Sequence, residues 1–195
     1  LTASVEAFVM RLQLARPEQS LVSPDLYNQL FTMHGVTMVF LAIMPLGIGL
    51  ANYFAPLMIG ARDLAFPRLN AFGYWVYAFS GILLLSSFIF GGAPDVGWFA
   101  YAPLTSLSNN PGNGVDYFMV GLLISGVGTL VTAMNLIVTI VSMRAPGMTW
   151  FRMPAFVWMI LITMFLIVFA FPPLTIALFQ ILMDRTFGTL FYDPA

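Results

Sequence analysis

The sequence predicts an all-α fold, a polytopic transmembrane helix bundle, and three observations predict it. Of 195 residues 60% are hydrophobic and 8% charged, far below the ~25% charged share of a soluble domain. Four stretches approach or exceed the roughly 20 apolar residues needed to cross a ~30 Å hydrocarbon layer. The arginines between these stretches fall in alternate loops, as the enrichment of Lys and Arg in cytoplasmic loops requires.

The stretches run from about Val36 to Met58, Phe72 to Phe90, Phe118 to Met143 and Phe156 to Met183, each bounded by Gly, Pro, Asn or charge. Leu1 to Pro17, with Glu6, Arg11 and Arg16, reads as the interfacial end of an earlier helix. The chain opens without an initiator Met or a basic signal segment, so a piece of something longer is expected. Residues 1–195 are expected to form a single transmembrane domain. Arg62, Arg68, Arg144 and Arg152 place two loops inside; Asp25, Asp95, Asp116, Asp184 and Asp193, against Arg16 and Arg185, place the others outside. His34 then lies toward the outer end of its helix and Asp63 at the inner mouth. An unbroken helix between them would measure about 44 Å at 1.5 Å per residue.

Composition also excludes. A net charge of −1 provides no basic field for nucleic acid. The absence of cysteine removes disulfides, thiolate metal sites and thiol nucleophiles. No Walker loop, GxGxxG, GxSxG or HExxH occurs.

The candidate residues are few. His34, the single histidine, stands in TMHGVTMVF beside Gly35. A neutral imidazole is a common haem-iron ligand and a neighbouring Gly offers no Cβ to obstruct a flat macrocycle; the plain alternative is a polar residue at the membrane edge. Asp63 in IGARDLAFPRLN is either a partner of Arg62 or Arg68 or a proton collector. The second reading draws on the neutral polar side chains Asn52, Asn70, Asn135, Thr129 and Thr132 in otherwise apolar segments, which would mark a hydrated path if they converge. Arg11 is a snorkelling cation or a donor to a cofactor edge. Trp98 and Tyr101 in GWFAYAPL are an aromatic belt first and cofactor neighbours second.

The succession YNQLFTMHGVTMVF, NYFAPLMIGARDLAFPRLNAFGYW, GWFAYAPL, MNLIVTIVSMRAPGM and DRTFGTLFYDPA resembles subunit I of the haem-copper terminal oxidases, the cytochrome c and quinol oxidases. The resemblance spans essentially the whole chain, and it implies the end of the first through the fifth helix of a bundle of about twelve. By motif position it makes His34 an axial ligand of the low-spin haem, taken as haem A, with Arg11 at the haem edge and Trp98 near the propionates. Asp63 becomes the entrance of a proton path containing Asn52, Asn70 and Asn135. The high-spin haem and copper are expected in the rest of the subunit, beyond Ala195, so this piece alone cannot reduce oxygen. Gln13 replaces an acidic residue of a nearby cation site, and that structural metal is not expected.

The implied function is electron transfer from cytochrome c to a haem-copper centre that reduces O2 to water, coupled to proton translocation. The implied partners are the remainder of subunit I and subunits II and III, and the implied location is a bacterial plasma membrane. The family's quinol sites pair an Arg with an acid and a His with a Gln. Glu6 and Gln29 are present here, but Thr2 and Leu26 replace the Arg and the His, which favours cytochrome c over quinol. A transporter using His34 and Asp63 as coupling groups fits the bare composition, without the broken helices or half-repeats that would mark one.

Overall fold

The computed structural model describes residues 1–192, and Asp193, counted above among the outer acids, lies outside them. The described residues are helical, with no strand among them. Helix α1 is Thr2–Gln13, α2 Pro24–Ile59, α3 Pro67–Ser86, α4 Gly114–Ser142 and α5 Ala155–Phe187. The last four are long and apolar enough to cross a membrane.

Their ends follow local chemistry more closely than hydropathy. Helix α2 starts twelve residues before Val36 because Ser23 caps it, its Oγ accepting the Leu26 N–H at 3.2 Å, and Pro24 occupies the first turn, where a missing N–H costs nothing. Asp25 in that turn complements the positive end of the helix dipole. Helix α3 likewise opens on a proline, Pro67, five residues before the apolar run. It stops at Ser86 although Phe88, Ile89 and Phe90 are apolar, as the chain turns toward Gly91 and Gly92, both at positive φ.

The expected single helix from His34 to Asp63 is corrected in two respects. Residues Thr37–Ile43 of α2 are wound as a π-helix, a widened turn often associated with functional sites. The helix then ends at Ile59, where Gly60 adopts a φ of 75° that side-chain-bearing residues avoid. The Ala145 N–H caps the final Ile59 carbonyl at 2.8 Å. Asp63 therefore stands on the loop between α2 and α3.

The chain packs as two compact units. The first comprises Leu1–Met44, Gly81–Gly121 and the residues from Leu178 onward; the second comprises Pro45–Ser80 and Leu122–Ala177. In the second, Ala51, Ala55 and Ile59 of α2 bury against Ala133, Leu136 and Ile140 of α4 and Val157, Leu161 and Met164 of α5. Spacings of three and four give each helix one inward stripe. Here α3 and α4 approach at a pair of glycines: a Cβ on Gly128 would lie 2.6 Å from the Gly73 carbonyl oxygen. Close backbone approach of this kind replaces the hydrophobic effect as the source of helix association in lipid. In the first unit Met33, Val36, Leu84, Val115, Phe118 and Met119 are fully or almost fully buried. All four arginines assigned to the inner loops belong to the second unit, and Asp25, Asp95, Asp116 and Asp184 to the first.

Candidate functional site

In the first unit, His34 is half-buried on α2 with Nδ1 2.9 Å from the Ala3 carbonyl oxygen of α1. A carbonyl can only accept, so Nδ1 carries a proton, and in the neutral ring Nε2 keeps its lone pair for a metal. Among the described residues no group of three or more His, Cys, Asp or Glu could hold a metal ion. What His34 offers is one neutral nitrogen on a fixed ring, the donor an axial haem position uses. The residues present fit that group.

The space left by the missing Gly35 Cβ is occupied by Trp98: a methyl group there would sit 3.0 Å from Trp98 Cδ1 and 3.1 Å from its Cβ. Gly35 thus accommodates an indole. Trp98 and Tyr101 are exposed and flank Phe99, whose ring centroid lies 6.4 Å from the first and 4.9 Å from the second. Arg11, in the last turn of α1, is exposed. The Gln13 amide closes the connection to α2, with Oε1 accepting the Leu21 and Val22 N–H groups at 2.8 and 3.0 Å and Nε2 donating to the Gln19 carbonyl.

The second unit holds the polar residues. Asn52, Asn70, Thr129 and Thr132 line one cavity of about 460 Å³, together with Tyr77 and the backbones of Gly73 and Gly128. The Asn52 Oδ1 is buried with no hydrogen-bond partner among the described residues. A roomy site with an unsatisfied amide oxygen and two hydroxyls is one that water fills. Thr129 and Thr132 donate to the carbonyls of Ser125 and Gly128, at 2.9 and 3.0 Å, leaving their lone pairs to accept from such water.

Asn135 departs from the expectation that three asparagines face one another. It is fully buried and clamps the α2–α3 loop: its Oδ1 accepts the Phe66 N–H at 2.9 Å, and its Nδ2 donates to the Phe66 carbonyl at 3.0 Å. Thr139, one turn on, accepts the Ala65 N–H at 2.9 Å. Asp63 is exposed at the start of that pinned segment, accepting the Leu64 N–H at 2.7 Å. It pairs with neither Arg62 nor Arg68, since the one ion pair among the described residues joins Arg185 to Asp116 at 2.6 Å.

Sequence reasoning missed that pair. Arg185 lies in DRTFG, read as an outer loop, yet its side chain is 1% exposed. Its guanidinium also donates to the carbonyls of Thr105, Asn110 and Gly112 at 2.7–2.9 Å. Nothing in its local sequence announces contacts some seventy residues away.

The family model described as "Cytochrome C and Quinol oxidase polypeptide I" matches residues 1–195. The chain belongs to this family. It is 51% identical over 194 residues to cytochrome c oxidase subunit 1 of Bacillus subtilis, covering all of this chain and 31% of that protein. To the subunit of the same name from Bacillus sp. strain PS3 it is 51% identical over 195 residues, covering 32% of that protein. To quinol oxidase subunit 1 of Bacillus subtilis it is 48% identical over 188 residues, 96% of this chain and 29% of that protein. The chain spans about a third of the length of these relatives. Family membership and four membrane-length helices make it part of an integral membrane oxidase subunit, and the family is one of haem and copper proteins.

Proposed function

We propose that the chain forms the electron-entry and proton-entry portion of a respiratory terminal oxidase that passes electrons from cytochrome c to O2 across a bacterial plasma membrane. The observation that carries this reading is His34, whose Nδ1 is committed to the Ala3 carbonyl while Nε2 is left to ligate, in a chain that matches an oxidase family along its entire length. A low-spin haem, of type A, supplies a one-electron iron centre when bound there. The carbonyl of Ala3 orients the imidazole and raises its basicity. Arg11 and Trp98 serve the edge of that group. The high-spin haem and copper belong to the remainder of subunit I, and subunits II and III complete the assembly.

Protons enter at Asp63, an exposed carboxylate free of its neighbouring arginines, and move by way of water held in the cavity of Asn52, Asn70, Thr129 and Thr132. Asn135 serves the path by fixing the loop that carries Asp63. The arginine bias places Asp63 on the inner side, where protons are drawn.

Likeness to a quinol oxidase keeps quinol as the second donor reading. Against it, Thr2 and Leu26 stand where an Arg and a His would be needed, and the Gln29 Oε1 already accepts the Ala93 N–H at 3.3 Å. The test is a reduced-minus-oxidised visible spectrum of the full complex, with oxygen uptake measured on cytochrome c and on a quinol. Haem bands with uptake on cytochrome c support the proposal. Uptake on quinol alone reassigns the donor, and a spectrum without haem bands leaves a transporter.

A further inference from the structure

Thr32, two residues before His34 on α2, is fully buried and has no part in the scheme above. Its Oγ1 accepts the Gly97 N–H at 2.9 Å, a buried bond from α2 to the segment that precedes Trp98. Gly97 has a φ of 73°, a conformation side-chain-bearing residues rarely adopt, so the backbone turns sharply just before the indole. One turn earlier on α2, Gln29 holds Ala93. The other side of Ala93 meets Gly114, where a Cβ would lie 2.7 Å from the Ala93 carbonyl. The segment from Ala93 to Gly97 is thus fixed at both ends, and the Trp98 side chain that follows seats on Gly35, the residue next to His34.

We infer that Thr32 is a positioning residue: by accepting the Gly97 N–H it holds the Trp98 indole against Gly35, and so fixes the indole relative to the group ligated by His34. The inference rests on the haem reading of His34. The hydroxyl is required as an acceptor, because a buried N–H left without one would draw the Gly97 backbone toward another partner. Methyl-bearing bulk alone cannot replace it. An indole is a polarisable ring with a single N–H donor, and displacing it alters the electrostatic surroundings of a neighbouring haem, which set its potential.

The test uses the full oxidase complex and reads the low-spin haem band and its reduction midpoint. Thr32→Val, equal in shape but lacking the acceptor, is expected to shift both, and Thr32→Ser to return them to the parent values. In a Trp98→Phe background Thr32→Val is expected to add no further shift, since additivity fails where one residue acts through another. Unmoved bands and midpoint in Thr32→Val, or an equal shift with and without Trp98, would overturn the inference. Gly35→Ala guards against a variant that does not assemble: its new methyl presses on the indole from the opposite side and must move the same band, and an unmoved band there also counts against the claim. The His34→Ala complex separates this failure from failure of the haem reading. Bands lost there, with an unmoved Thr32→Val spectrum, reject the role of Thr32 alone; bands retained there reject the ligand assignment beneath it.

Discussion

Replacing Asn135 by Leu should loosen the loop that carries Asp63 while leaving the helices in place. Leucine shares the branching and heavy-atom count of asparagine but carries bulkier methyl groups, so at this fully buried position on α4 the change adds volume that the neighbouring side chains absorb and removes two hydrogen bonds. Each is worth about 0.5–1.5 kcal/mol net. Phe66 itself is exposed, so water can recover part of the loss at its N–H and carbonyl. About 2 kcal/mol for the pair is then reasonable, and at 1.4 kcal/mol per tenfold the open loop becomes about thirty times more populated. Amide hydrogen exchange on the purified complex reads this directly. The Phe66 amide should lose about thirtyfold in protection, and Ala65, still held by Thr139, should lose less. Thr139→Val should invert the order, exposing Ala65 before Phe66. Phe66 protection unchanged in Asn135→Leu would mean that the clamp does not hold the loop, and its assigned part in proton entry would fall with it.

Asp63→Asn should slow proton uptake and turnover severalfold while leaving the haem bands intact, because among the described residues the Asp63 carboxylate shares no hydrogen bond or ion pair with His34 or Ala3; stopped-flow uptake with a pH dye checks it, and unchanged uptake would reduce Asp63 to a loop residue. Arg185→Met should destabilise the first unit by about 3 kcal/mol, the lower end for a broken buried pair because the Asp116 side chain keeps 34% exposure. The readout is the half-life of the complex at a fixed elevated temperature, since large membrane complexes unfold irreversibly. An unaltered half-life would deny the ion pair any structural part, and Asp116→Asn, which retains an acceptor for Nε, should shorten it less.

Hydropathy located the cores of α2 to α5 because lipid imposes a minimum apolar length on any spanning helix, whatever its neighbours. The helix starts were also written locally, in Ser23-Pro24-Asp25 and in Pro67, but polar residues such as Asn28 and Gln29 hide them from an apolarity criterion. The π-helical winding of Thr37–Ile43 has no local signature. At the site, the single His next to a Gly was legible, and so were the asparagines as a set. Their division was not: Asn52 and Asn70 line a cavity while Asn135 pins a backbone, and this depends on which helix faces each amide. Thr32, Thr139 and Arg185 were invisible for the same reason. Each meets a partner 65 to 80 residues away, and a hydroxyl or guanidinium in an apolar run looks alike whether it holds a loop or faces a headgroup.

The central claim is that the His34 imidazole ligates haem iron, and the reduced-minus-oxidised visible spectrum of the purified His34→Ala complex tests it most directly. The account predicts a membrane-inserted, assembled complex from which the low-spin haem band is lost, with the bands of the high-spin centre, held by residues elsewhere in subunit I, still present. A low-spin band of parental position and intensity in that variant would contradict it.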